Sequence, residues 1–204
     1  ERVLASMLSP SFLKYAKFVD KINVRNYVIE KGLQHILLEH FGTWEKPSDI
    51  DFSKLPTKFA LKTNNGVGNH FFCKNKLDIN RALCLKQLEN NLSVIESQDS
   101  ILEPQYKSII PLIFCEELID TGTDSWPIDY KFHCINGEPD HIFLAMEREE
   151  SVKYGTFDLD WNMLPYTRDA FKPTTYPKKP KYLKEMADIA RILSKDFERI
   201  LAIS

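Results

Sequence analysis

The chain has 204 residues, 43% hydrophobic and 27% charged, with a formal net charge of -2, which is enough for one domain with a sizeable core or for two small lobes. A balance this close to neutral provides no overall field to draw nucleic acid or an anionic membrane, so any phosphate recognition has to be local. No apolar run approaches the roughly 20 residues of a membrane span, and no basic stretch followed by an apolar core and a small-residue cleavage site marks a secretory signal.

In chain order, Val24 to Lys31 carries helix-favouring residues and predicts a helix stopped by Gly32. The apolar segment 33–41 that follows fits helix or strand by period, and the stop at Gly32 with the Gly42-Thr43 break favours a buried strand. Ser48 to Pro56 reads as a connection with a short helical turn. KFALK (58–62) and HFFCK (70–74) predict two short strands, and the NNGVGN between them predicts the tip of a hairpin. Asp78 suits an N-cap for a helix over 79–92, with Ile79, Ala82, Leu83 and Leu88 towards one side.

Ile109 to Ile119, interrupted by Pro111, predicts a buried strand ending in Glu116 and Glu117. DYKFHCI and DHIFLAM flank Asn136-Gly137, the strongest short hairpin signal in the chain. A further strand is expected around Thr156 to Trp161, and Pro173, Pro177 and Pro180 mark an extended connector. Leu183, Met186, Ile189, Ala190, Leu193 and Phe197 then recur at helical spacing and predict an amphipathic helix.

Cys73, Cys84, Cys115 and Cys134 lie far apart with no C-x-x-C pair, which argues for buried free thiols in a reducing compartment rather than a zinc or redox motif. The five histidines likewise lack metal-ligand spacing. Asp158-Leu159-Asp160 has the spelling of a metal-binding D-x-D motif, but its apolar, strand-like surroundings favour a structural role.

A glycine-rich loop accepts phosphate because small residues let backbone N–H groups approach the anion. The loop at 64–69 lacks the Gly-Lys-Ser/Thr ending of a Walker A motif, and it leads into a strand, whereas Walker A and Rossmann loops open a helix. A flap over phosphates fits it, with Lys62 on the entering strand. Taken alone, the loop is better explained as a plain hairpin turn with Lys62 on a solvated face, and Lys131 is open to the reading of an outward residue of an alternating strand.

In order, the parts resemble an ATP-grasp enzyme, most closely the TupA-like family associated with teichuronopeptide and surface polysaccharide biosynthesis. The resemblance rests on VDKINVRNYVIEKG (19–32), KFALKTNNGVGN (58–69), IFCEELI (113–119), DYKFHCINGEPD (129–140) and FDLDWNMLP (157–165). It implies an α+β fold of two lobes whose antiparallel sheets enclose a nucleotide cleft, with segments 1–50 (helical and mixed), 51–120 (the lobe with flap and hinge) and 121–204 (the second lobe).

The resemblance implies that Lys62 binds the α- and β-phosphates and that the backbone of Asn65, Gly66, Val67 and Gly68 covers them. Glu116 and Leu118 would present hinge backbone to adenine, Glu117 or Asp129 would take the ribose hydroxyls, and Lys131 would reach the phosphates from the second lobe. ATP with Mg2+ would phosphorylate a small carboxylate or sugar acid, and an amine would displace the acyl phosphate. The family's magnesium-binding carboxylates are expected beyond the chain as given, whose second lobe reads as incomplete at 196–204. The expected function is thus an ATP-dependent carboxylate–amine ligase of surface-polymer biosynthesis, in the cytoplasm and without a nucleic-acid partner. A glycosyltransferase-like enzyme and a non-catalytic nucleotide-binding protein are the alternatives.

Overall fold

The computed structural model describes residues 15–65, 70–97, 106, 108–122, 126–147, 151–197 and 201–203. The chain divides into two compact units, Glu1–Leu118 and Ile119–Ser204. Each contains helices and one four-stranded antiparallel sheet, an α+β architecture. Among the described residues no helix is long and apolar enough to cross a membrane.

The first unit opens with a helical turn, α1 (Ala16–Val19), and the helix α2 (Asn23–Glu30). Asp20 joins them by accepting from the Ile22 and Asn23 backbone N–H groups at 2.9 and 3.2 Å and from Asn23 Nδ2 at 2.8 Å. Gly32 ends α2 as expected: with φ at +75° it lets its own N–H reach Ile29 O and the Leu33 N–H reach Val28 O, at 2.8 and 3.0 Å. These are the two bonds of a Schellman cap. The buried strand expected over 33–41 is corrected, because Gln34–Ile36 forms an exposed 3-10 turn and pairing begins only at β1 (His40–Trp44). Only Leu33 of the early part is buried, and apolar composition without a partner strand does not hold extended backbone. Two short 3-10 turns, Pro47–Asp49 and Phe52–Lys54, form the connection over 48–56.

β2 (Phe59–Thr63) and β3 (Phe71–Cys73) pair antiparallel, with Phe59 opposite Cys73 and Leu61 opposite Phe71, so the expected strand-loop-strand order is present. The loop residues Gly66, Val67, Gly68 and Asn69 lie outside the described residues. β4 (Ile113–Glu116) inserts between β1 and β2, giving the sheet order β1-β4-β2-β3. It is shorter than the expected run over 109–119 and starts only after Pro111, which has no N–H for a ladder.

The helix α3 (Arg81–Ser97) covers one face of this sheet. Its N-cap is Asn80, whose Oδ1 accepts from the Leu83 N–H at 3.0 Å, and not Asp78, which instead accepts from Asn75 Nδ2 at 2.7 Å. A 3-10 turn at Lys76–Asp78 delays the helix start and causes this shift. The buried positions Cys84, Leu88 and Asn91 replace the expected Ala82 and Leu83, which are exposed. Spaced i, i+4, i+7, they form one face, and Cys84 and Leu88 pack against Ile50, Phe52, Leu55, Phe59, Leu61 and Ile113.

The second unit is built on β5 (Asp129–Ile135), β6 (Glu138–Met146), β7 (Lys153–Asp158) and β8 (Leu201–Ile203), in the order β7-β6-β5-β8. Asn136 and Gly137, with φ of +52° and +81°, make the tight turn between β5 and β6. α4 (Leu183–Ser194) lays Leu183, Ala187 and Ala190 onto this sheet, and Ser194 Oγ donates to Gly137 O at 2.9 Å. Asp158 caps the turn after β7, accepting from Asp160 N, Asn162 N and Asn162 Nδ2 at 2.7 to 3.0 Å. That is the structural role expected of the D-x-D sequence. Cys73, Cys84, Cys115 and Cys134 are buried free thiols.

Candidate functional site

Alternation along β2 puts Phe59 and Leu61 on the α3 side and turns Lys62 to the other. β4 behaves in the same way: Ile113 and Cys115 join the core, whereas Phe114, opposite Lys62 in the register, and Glu116 face away. Lys62 Nζ donates to Glu116 Oε1 at 2.5 Å, with side-chain exposures of 21% and 11%. Arg25 on α2 brings Nη1 to 3.7 Å from Glu116 Oε2 and donates from Nη2 to Leu38 O at 2.7 Å.

Asn64, fully buried, fastens the preceding segment to the sheet. Its N–H and side chain bond to the chain at Ile110 and Leu112 at 2.8 to 3.1 Å, and its carbonyl accepts from the Lys21 N–H at 3.1 Å. Lys21 is thereby brought into the field of Lys62 and Glu116. Burial first, and then the Lys62 charge, lower its pKa to about 8, while Glu116 and Asp20 act in the opposite direction. His40, across from Glu116 in β1, stacks at 6.3 Å on Phe114, and burial followed by the Arg25 charge lowers its pKa.

Two more polar residues follow Lys62 in sequence. Thr63 and Asn65 are 0% and 1% exposed, and Thr63 Oγ1 and both amide atoms of Asn65 have no hydrogen-bond partner among the described residues. Such a group costs about 1–3 kcal/mol when left unpaired. A buried amide with both ends open, three residues on from Lys62 in sequence, is suited to receiving a polar ligand.

The structure therefore gathers Lys62 and Glu116 of the expected site and adds Lys21, Arg25 and Asn64, to which sequence reasoning gave no role. Lys21 and Arg25 both stand in the stretch 19–32 that carries the resemblance, but Lys21 lies in the turn between α1 and α2 and Arg25 within α2, so no helical periodicity joins them and the sequence carried no local signal for the pair. Glu117 is exposed, with its N–H bonded to Glu39 O at 2.9 Å where the chain leaves β4, and Leu118 is half-buried.

In the second unit, Lys131 pairs with Asp129 at 2.7 Å. They share a strand with His133, which stacks on His141 with ring centres 4.6 Å apart, and His141 Nδ1 lies 2.8 Å from Asp140. Burial, then the His141 and Lys131 charges, lower the His133 pKa. Among the described residues no group of three or more His, Cys, Asp or Glu side chains could hold a metal ion.

No curated protein and no solved structure matches the chain significantly. The model of the family described as TupA-like ATPgrasp matches residues 1–201, nearly the whole length, and the chain belongs to that family.

Proposed function

We propose that this protein is an ATP-dependent carboxylate–amine ligase of cell-surface polysaccharide or teichuronopeptide biosynthesis, acting in the cytoplasm. The observation that carries the nucleotide part is the convergence of Lys21, Arg25 and Lys62 around Glu116, with Lys62 on the strand that leads into the glycine loop. Cations of this kind bind phosphate oxygens through charge-assisted hydrogen bonds, and their partial burial strengthens the attraction.

In this reading Lys62 and Lys21 hold phosphate oxygens, the Asn65 side chain and the backbone through Gly68 complete the cradle, and Glu116 to Leu118 offer hinge backbone to adenine. Glu117 or Asp129 takes the ribose, and Lys131 is the phosphate ligand of the second unit. The nucleotide cleft between two lobes belongs to this reading on the resemblance alone. Magnesium would offset phosphate charge during transfer. The described residues provide no ligand set for it.

The glycosyltransferase-like alternative loses its motif, because the Asp158 carboxylate is spent on the turn after β7. Calorimetric titration with ATP, GTP and UDP-sugars tests the proposal, using wild type, Lys62→Met and, as control, Lys86→Met on the exposed side of α3. Selective binding of ATP is expected, weakened roughly tenfold or more in Lys62→Met through loss of a charge-assisted bond and unchanged in the control. Selective binding of a UDP-sugar, or equal ATP affinity in all three proteins, refutes it.

A further inference from the structure

Glu116 does more than end a strand. Its carboxylate takes one ammonium at 2.5 Å and lies 3.7 Å from a guanidinium, with Lys21 close enough to sense its charge. Asp20, the other acid near Lys21, is committed to joining α1 and α2 through three hydrogen bonds. An anion approaching Lys62 therefore meets a lysine that already has a partner, and a fixed negative charge beside it.

We propose that Glu116 is a specificity-determining residue of this site: as an internal counter-ion on Lys62 it admits only ligands with enough negative charge to displace it. The inference rests on the reading of the site as a phosphate-binding one. A ligand with little charge exchanges one ion pair for another and gains little, because breaking the Lys62–Glu116 contact cancels what the new contact returns. A triphosphate reaches further. It can contact Lys21 as well as Lys62 and Arg25, so it gains a cation beyond the two that Glu116 already holds. The carboxylate can give way by side-chain rotation, because the ladder that holds Glu116 between His40 and Ala60 is made by its backbone.

The test is a ligand-charge series of AMP, ADP, ATP, pyrophosphate and tripolyphosphate, titrated calorimetrically at fixed ionic strength into wild type, Glu116→Gln, Lys62→Met and the double variant. Wild type is expected to favour the more highly charged members steeply. Glu116→Gln should bind AMP and pyrophosphate about tenfold tighter or more, flattening the series. On the Lys62→Met background the same replacement should gain less than about twofold, because the lysine it would free is gone.

Glu116→Asp keeps the charge but withdraws it by one methylene from Lys62, and should show part of the same flattening, with thermal melts confirming that each variant folds. A charge series in both Glu116 variants as steep as in wild type, or a uniform loss of affinity, overturns the proposal. If wild type binds tripolyphosphate but no adenine nucleotide, the nucleotide reading fails, while the Glu116 comparison on the inorganic ligands still decides this one.

Discussion

Replacing Lys62 by Met tests the site through folding alone, without any ligand. Methionine keeps most of the stem but removes the ammonium that holds Glu116 Oε1 at 2.5 Å. The carboxylate, 11% exposed, is left with the Arg25 contact at 3.7 Å. A lost hydrogen bond to a charged group costs about 1.5–3 kcal/mol, and the residual Arg25 partner and partial exposure keep the loss below that of a fully buried unpaired charge. Stability should therefore fall by about 1.5–3 kcal/mol in Lys62→Met and less in Glu116→Gln, where the two cations can turn towards water. The double variant should be more stable than the sum of the single losses predicts, with a coupling of about 1–3 kcal/mol, because neither partner is left stranded. Urea unfolding followed by far-UV circular dichroism measures this, an unchanged m-value showing that the same surface is exposed. Additive losses, or a Lys62→Met variant within about 0.5 kcal/mol of wild type, would refute the idea that Lys62 and Glu116 act as a pair.

Two further outcomes follow from the same geometry. A polyphosphate beside Lys21 raises its pKa from about 8, so binding takes up a proton: ATP affinity should be full below pH 8 and decline as pH rises above it. Calorimetry at about pH 9, above the free pKa, in buffers of different ionisation enthalpy should show the uptake in wild type and its loss in Lys21→Met, and a buffer-independent heat there would contradict it. In the second unit, a Cβ on Gly155 would stand 2.8 Å from the Tyr176 ring and 3.2 Å from Phe157. Gly155→Ala should accordingly lower stability by about 1–3 kcal/mol through overpacking, and a neutral result in thermal unfolding would show that Tyr176 gives way freely.

What the amino-acid sequence determined by itself was what neighbours along the chain decide. Gly32 stops α2 because glycine takes the left-handed conformation at little steric cost, and Asn136-Gly137 turns β5 into β6 for the same reason. The alternation in 58–62 and 129–135 fixed which side chains share a face, and so turned Lys62 away from the core. Local signals failed where two readings were close in energy. The N-cap moved from Asp78 to Asn80, and 33–39 stayed out of a strand it had the composition to join.

Tertiary structure decided the rest, because sheet order and ion pairing depend on residues distant in sequence. β4 enters between β1 and β2 and so brings Glu116 to Lys62, 54 positions away. Nothing local to either residue specifies that meeting. Asn64 does the equivalent for Lys21, binding its N–H to the sheet and carrying an apparently ordinary helix-entry lysine into the field of Lys62 and Glu116. A sequence pattern can put a charge on a face, but which charges share that face, and how far water is excluded from them, is settled only when distant strands close around them.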